Sequence, residues 1–211
     1  MMKKNENFIL TALFEIYPGE KPDPGTLNNL FAAGLDFLYL RTNAAKGIAW
    51  SQMLNDLGPE NKGKVMVPAY AWKEAGTEQA ILHLKEADRK GNPPPMFQPN
   101  RVYSTSVHHL PDVLDLPPCF RYVFYSPVFE SISKPGYSPK IDLLAVQRIL
   151  DRLKRSKGQL PIIIGLGGIH ADNVKQVRDS GLNGAALMGA LWQGADPVQA
   201  FNDIRTALAI P

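Results

Sequence analysis

The chain has 211 residues, 45% of them hydrophobic, which is enough to bury a sizeable core as one domain of ordinary or slightly large size. Its net charge of +3 comes from acids and bases interspersed along the chain, so no charged field points to nucleic acid or a membrane surface. The single cysteine, Cys119, excludes an intramolecular disulfide and gives no zinc-ligand spacing.

The N-terminal stretch MMKKNENFILTALFEI has the basic start and apolar run of a weak signal peptide. Glu6 and Glu15 bracket that run and no small-residue cleavage site follows, so residues 8–14 read as a first strand. A helical GTLNNLFAAG follows, then the strand DFLYLR and the helix AWSQMLNDL. The strands KVMVPAY, AILHL and RVYSTSV come next, with only short helical stretches between them. YVFYSPVF precedes the helix DLLAVQRILDRLKR, PIIIGLGGI precedes ADNVKQVRDSG, and GAALMGAL precedes PVQAFNDIRTALA. No apolar stretch approaches membrane-spanning length. These features predict a soluble, cytoplasmic single domain over residues 1–211.

Eight apolar strand segments alternating with helices imply an α/β fold, and several segments are continuously apolar, as parallel strands covered on both faces are. A doubly wound open sheet alternates in the same way. Eight units in 211 residues, with no Gly-rich turn after the first strand, favour closure into a single (β/α)8 TIM barrel. GNPPPMFQPN reads as loop where a helix belongs, so the middle section of the barrel is expected to be irregular.

In such a barrel, chemistry sits at the carboxyl ends of the strands, and phosphate is often held by the loops after strands seven and eight. In GLGGIHADNV, Gly167 and Gly168 follow an apolar strand and precede a helix beginning near Asp172 and Asn173. Glycine lets backbone approach a phosphate closely, and a helix start supplies N–H donors. Met188 and Gly189, ending the eighth strand, complete a cup of amides. YSPVFESISKPGYSP carries an apolar step straight into hydroxyls, a lysine and Pro-Gly, a pattern that suits an anionic ligand.

SPVFESISK followed by PIIIGLGGIHADNVKQVRDSGLNGAALMGAL resembles the thiamine phosphate synthase and TenI superfamily. The likeness extends back through RVYSTSVHH, ILHLKEAD and LYLR, covering most of residues 36–192. It implies a β/α barrel that handles the phosphorylated thiazole of thiamine. Synthases of this superfamily join that thiazole to a pyrimidine diphosphate, and TenI-type members tautomerise it.

Carried onto this sequence, the resemblance assigns Lys134 to phosphate, with Ser131 and Ser133 flanking it, against the plain alternative of an exposed loop lysine. It puts Gly168, Met188 and Gly189 in the thiazole-phosphate cup, Ser106 near the diphosphate, and His108 just after it either as a contact or as a helix-start or packing residue. Arg41 ends strand two, where a guanidinium pairs with phosphate or with a carboxylate in the barrel mouth. Asp88 matches one magnesium ligand, but Pro68-Ala69 replaces the Asn-Asp pair that supplies the other, and Asn43 replaces a diphosphate-binding lysine. One carboxylate alone is a poor magnesium site, and Asp88 also reads as a solvated loop carboxylate. Magnesium is thus the one cofactor in question, and no organic cofactor is expected.

Pro127 stands where tautomerases carry a histidine, leaving His83 and His170 as candidate acids or bases. Three functions follow from the resemblance: a synthase-type transferase with an eroded magnesium–diphosphate site, a TenI-like thiazole tautomerase, and a non-catalytic phosphate-binding barrel. The expected partners are small phosphorylated substrates, with no nucleic acid or membrane, and homo-oligomers are left open.

Overall fold

A computed structural model describes residues 8–44, 47–74, 77–91, 98, 101–130, 141–156 and 159–209. Eight strands lie side by side in chain order: β1 (Ile9–Glu15), β2 (Phe37–Arg41), β3 (Val65–Pro68), β4 (Ile81–Leu84), β5 (Tyr103–Val107), β6 (Phe120–Tyr125), β7 (Ile162–Leu166) and β8 (Gly184–Leu187). Every neighbouring pair is parallel, and β8 returns to β1 with Gly184 opposite Ile9. That last pairing closes the barrel and rules out the open doubly wound sheet.

The helices are α1 (Pro24–Ala32), α2 (Trp50–Asn55), α3 (Glu86–Gly91), α4 (Leu143–Ser156), α5 (Val174–Asp179), α6 (Gly189–Trp192) and α7 (Pro197–Ala209). Local chemistry explains where they form. Asp23 accepts from the Thr26 N–H at 2.7 Å, and Pro24 opens α1, where its missing N–H is of no consequence. On α4 the buried Val146, Leu150 and Leu153 share one face at spacings of four and three, and Lys154 and Arg155 lie in the last turn beside the exposed carbonyls. No helix among the described residues is long and apolar enough to cross a membrane.

The middle of the barrel is irregular, as its sequence implies. A 3-10 helix, Ala69–Lys73, follows β3; the six-residue α3 follows β4; and a second 3-10 helix, Leu110–Asp115, follows β5. Most of GNPPPMFQPN lies outside the described residues. Several strand candidates are shorter than read, among them KVMVPAY, which gives way to the 3-10 helix at Ala69, and PIIIGLGGI, which stops at Leu166. β6 stops at Tyr125, before a cis Ser126–Pro127 bond, and β8 stops at Leu187, where the chain turns into α6. In GAALMGAL the sequence runs apolar through both elements, so hydrophobicity alone hides the boundary.

Strand alternation divides the core in two. Leu38, Leu40, Val65, Val67, Leu82 and Leu84 face outward and pack under the helices. Leu13, Tyr39, Met66, Ile81, Phe124, Ile164 and Ala186 fill the barrel interior. Gly184 marks the tightest point of closure: a Cβ there would fall on the Ile9 carbonyl oxygen and lie 2.9 Å from the Ile9 Cβ. Gly184→Ala is therefore expected to destabilise the fold by about 1–3 kcal/mol, through overpacking at the β8–β1 seam. Urea unfolding of the variant checks this, and an unchanged midpoint would show that the seam relaxes freely.

Candidate functional site

The period of two that fills the barrel also decides what reaches its mouth. Leu13 pairs in register with Tyr39, so two residues on, Glu15 pairs with Arg41 at the carboxyl ends of β1 and β2. By the same alternation His83 and Lys85 follow Ile81, and Ser106 follows Ser104. Arg41, His83, Lys85 and Ser106 line a cavity of about 490 Å³, closed opposite by Leu166–Ile169, Ala186, Met188 and Gly189, with Glu15 behind Arg41 at the rim. The volume suits a small organic ligand.

Of the two partners the sequence leaves open for Arg41, the structure shows the carboxylate. Arg41 Nε donates to Glu15 Oε2 at 2.6 Å, and its Nη2 reaches the same oxygen. Asn43 Nδ2 adds a longer contact of 3.4 Å to Glu15 Oε1. The pair is only partly exposed, so it orients Arg41 at the rim while cancelling its charge.

His83 forms part of the cavity floor. Its ring is buried, 4.4 Å from the Tyr39 ring and 5.6 Å from the Phe124 ring by centroid. Nδ1 lies 3.0 Å from Ser104 Oγ and Nε2 3.2 Å from Ser106 Oγ. A neutral imidazole has one donor and one acceptor, and two hydroxyls satisfy both. Burial, helped by the Lys85 and Arg41 charges, lowers the His83 pKa to about 3. Ser106 thus reaches the cavity with its oxygen tied to a histidine that stays neutral at ordinary pH.

His108 also lines the cavity, and its Nδ1 donates to the Ser126 carbonyl oxygen at 2.8 Å. That bond leaves Nε2 facing Glu86 Oε2 at 3.7 Å. The 3-10 helix beyond it has His109 at its N-cap position, so His108 is not the helix-start residue.

Gly167 and Gly168 have φ values of 110° and 62°, in the region that favours glycine. The closest neighbour of the pair is protein backbone. Val128 N–H donates to Leu166 O at 2.9 Å and Phe129 N–H to Gly167 O at 3.1 Å, so the 127–130 segment runs tightly alongside. A Cβ on Gly168 would fall on the Glu130 carbonyl oxygen. Asn173 pins the turn, accepting from His170 N–H at 2.9 Å and donating to Gly168 O at 2.8 Å. Asn173 is also the N-cap residue of α5, which begins at Val174. Across from it, Met188 and Gly189 open α6, and Trp192 Nε1 locks that helix to the Leu13 carbonyl at 2.7 Å.

The family described as thiamine monophosphate synthase matches residues 23–191. The chain belongs to this family. A thiamine-phosphate synthase of Bacteroides fragilis is 31% identical over 78 residues, 37% of this chain and 38% of the relative. One from Streptococcus suis is 27% identical over 120 residues, 56% of this chain and 50% of the relative. The chain thus matches half or less of the length of these curated relatives. Among solved structures, a thiamine phosphate pyrophosphorylase of Bacteroides thetaiotaomicron superposes with a TM-score of 0.70 at 20% identity, covering 95% of this chain and 96% of that one. One from Pyrococcus furiosus also gives 0.70, at 16% identity, covering 97% and 96%. At such identities these likenesses speak to the fold.

Within the thiamine monophosphate synthase barrel, Arg41, Ser106, His108, Gly167, Gly168, Met188 and Gly189 come together around one cavity. Ser131, Ser133 and Lys134 lie outside the described residues. Asp88 is exposed on α3 and does not line the cavity, and His170 faces Asp172 at 3.4 Å outside it. Among the described residues, the carboxylates at the mouth are not arranged as a magnesium site. Glu15 is committed to Arg41, and Glu86 lies 2.6 Å from Lys90. No cluster of three or more His, Cys, Asp or Glu residues suited to a metal occurs among the described residues. Sequence reasoning did not single out Glu15, Lys85 and Glu86 as site residues. The alternation of β1 and of AILHLK, continued one step past the apolar run, was the signal that could have found Glu15 and Lys85.

His83 gives the protein a defined acid sensitivity. The unfolded chain takes up a proton near pH 6.5, whereas the folded chain resists it until about pH 3. Stability therefore falls as pH drops through that window, by up to about 1.4 kcal/mol per pH unit. His83→Gln keeps a donor and an acceptor for the two serines but does not titrate. Urea unfolding between about pH 6 and pH 4 is expected to show a shallower acid limb for the variant. Parallel limbs would mean that the imidazole is protonated in place.

Proposed function

We propose that this chain is a transferase of the thiamine phosphate synthase type. It binds thiazole phosphate at the glycine-bearing ends of β7 and β8, and couples it slowly to hydroxymethylpyrimidine diphosphate with release of pyrophosphate. The observation that carries this reading is the make-up of one cavity, in which the turn 166–169 and Met188–Gly189 face Arg41, Lys85 and Ser106 across the barrel mouth. Backbone amides suit the phosphate of the thiazole, and cations suit a diphosphate that gains charge as its bond to carbon breaks. Family membership over residues 23–191 supports the same assignment.

Slow turnover follows from the electrostatics. Arg41 is neutralised by Glu15, and the carboxylates at the mouth are engaged with cations instead of free for a metal. Losing one well-placed electrostatic partner typically costs about 100- to 1000-fold in rate. No step in this reading runs through magnesium. The tautomerase alternative would need a base near neutral pH. Of the two histidines at the cavity, His83 is too weak a base for that because burial lowers its pKa to about 3, and His108 is engaged by the Ser126 carbonyl and faces Glu86.

Titrating the protein with thiazole phosphate is expected to shift the backbone amide resonances of Gly168 and Gly189. Adding the pyrimidine diphosphate, with and without magnesium, is expected to yield thiamine phosphate and pyrophosphate at rates about 100-fold or more below an ordinary synthase. Thiazole phosphate that leaves those amides unmoved would remove the basis for the assignment. Binding without any product would leave the phosphate-binding barrel as the function.

A further inference from the structure

Lys85 is the one cation at the cavity, among the described residues, that the protein does not neutralise. It continues the inward series of β4, in which Ile81 belongs to the barrel interior while Leu82 and Leu84 pack outward. It lines the cavity, and its ammonium donates to Asn43 Oδ1 at 2.7 Å and to the Thr42 carbonyl at 3.3 Å. Both acceptors are neutral. No carboxylate among the described residues lies within salt-bridge distance of it, whereas Arg41 is bound by Glu15, and Glu86 is engaged by Lys90 at 2.6 Å and faces His108 at 3.7 Å. An ammonium has three N–H donors, so two neutral oxygens aim the group without satisfying either its charge or its third donor.

We infer that Lys85 is an anion-binding residue for a diphosphate group, held toward the cavity by Asn43. β4 stands diametrically across the eight-stranded barrel from β8. The mouth therefore carries two anion-seeking poles, backbone amides at Met188–Gly189 and an ammonium at Lys85, with the Ser106 hydroxyl on the Lys85 side. A partly desolvated charge without a counter-charge is costly unless a ligand supplies one, and a diphosphate accepts from an ammonium and a hydroxyl together. Asn43 acts through Lys85 as a positioning residue. Its Oδ1 holds the ammonium while its Nδ2 leans on Glu15 at 3.4 Å, joining the cation to the β1–β2 rim. The inference rests on the transferase reading for the identity of the anion, but the residue can be tested without that reading.

The probe is inorganic pyrophosphate, titrated into the full chain by calorimetry in metal-free buffer. Lys85→Met keeps the apolar stem and removes the charge. It is expected to weaken pyrophosphate binding about 10- to 100-fold, while Lys85→Arg stays within about three-fold of the parent. Asn43→Asp is nearly isosteric and places a carboxylate against the ammonium. It is expected to weaken binding about 10-fold, and because the new carboxylate also meets Glu15 Oε1, 3.4 Å from Asn43 Nδ2, binding is compared at urea concentrations where both proteins stay folded. Pyrophosphate should also slow reductive methylation of Lys85 in the unmodified chain, read by mass spectrometry, which makes the test independent of any variant's folding. The inference is overturned if the parent does not bind pyrophosphate, if Lys85→Met binds it as the parent does, or if methylation proceeds at the same rate with and without it. Loss of thiazole-phosphate binding at Gly168 and Gly189 would instead overturn the functional assignment and leave the Lys85 result standing.

Discussion

The pairing of β8 with β1 turns eight short strands into a closed cylinder, and in such a cylinder every second side chain must point inward. Gly184 makes that closure sterically allowed, since any Cβ would strike the β1 backbone at Ile9. Once the register is set, the interior is filled from Leu13, Tyr39, Met66, Ile81, Phe124, Ile164 and Ala186, and nothing larger than side chains occupies it. The next inward positions have no core left to join. Glu15, Arg41, Lys85 and Ser106 stand at the carboxyl ends for that reason, as a consequence of parity rather than of separate loop design.

At this polar end, the protein resolves most of its own charges. Arg41 is answered by Glu15, Glu86 by Lys90, and His83 remains neutral between Ser104 and Ser106. Each pairing fixes a side chain, because a carboxylate that holds a guanidinium also holds its rotamer. Among the described residues, the walls of the site are therefore nearly charge-balanced. Against that background a single ammonium held by two neutral oxygens is a strong local feature, although the whole chain carries a net charge of only +3.

The turn after β7 serves two demands at once. The positive φ values of Gly167 and Gly168 admit the 127–130 segment within backbone hydrogen-bonding distance, and Asn173 ties the turn to α5. The same lack of side chains leaves the turn open toward the cavity. Glycine at these positions is thus required by packing before any ligand is considered, and a ligand site there exploits space that the fold already needs to keep clear.

Eight strands, their order and the poorly helical middle section were legible in the chain, because apolar runs of four to eight residues and the Gly/Pro punctuation between them are local signals. The glycine-bearing turns at 167–168 and 188–189 were legible for the same reason. Other features depend on distance in space rather than along the chain. Arg41 turned to Glu15, 26 residues away, and Lys85 to Asn43, 42 residues away, because the parallel register brings the ends of β1, β2 and β4 to one rim. The end of β8 inside an unbroken apolar run, and the exposure of Asp88 on a helix outside the cavity lining, also needed the folded backbone. Composition and periodicity determined the barrel. Only its closure decided which charges meet, since side-chain pairing across strands is set by register, which no single strand encodes.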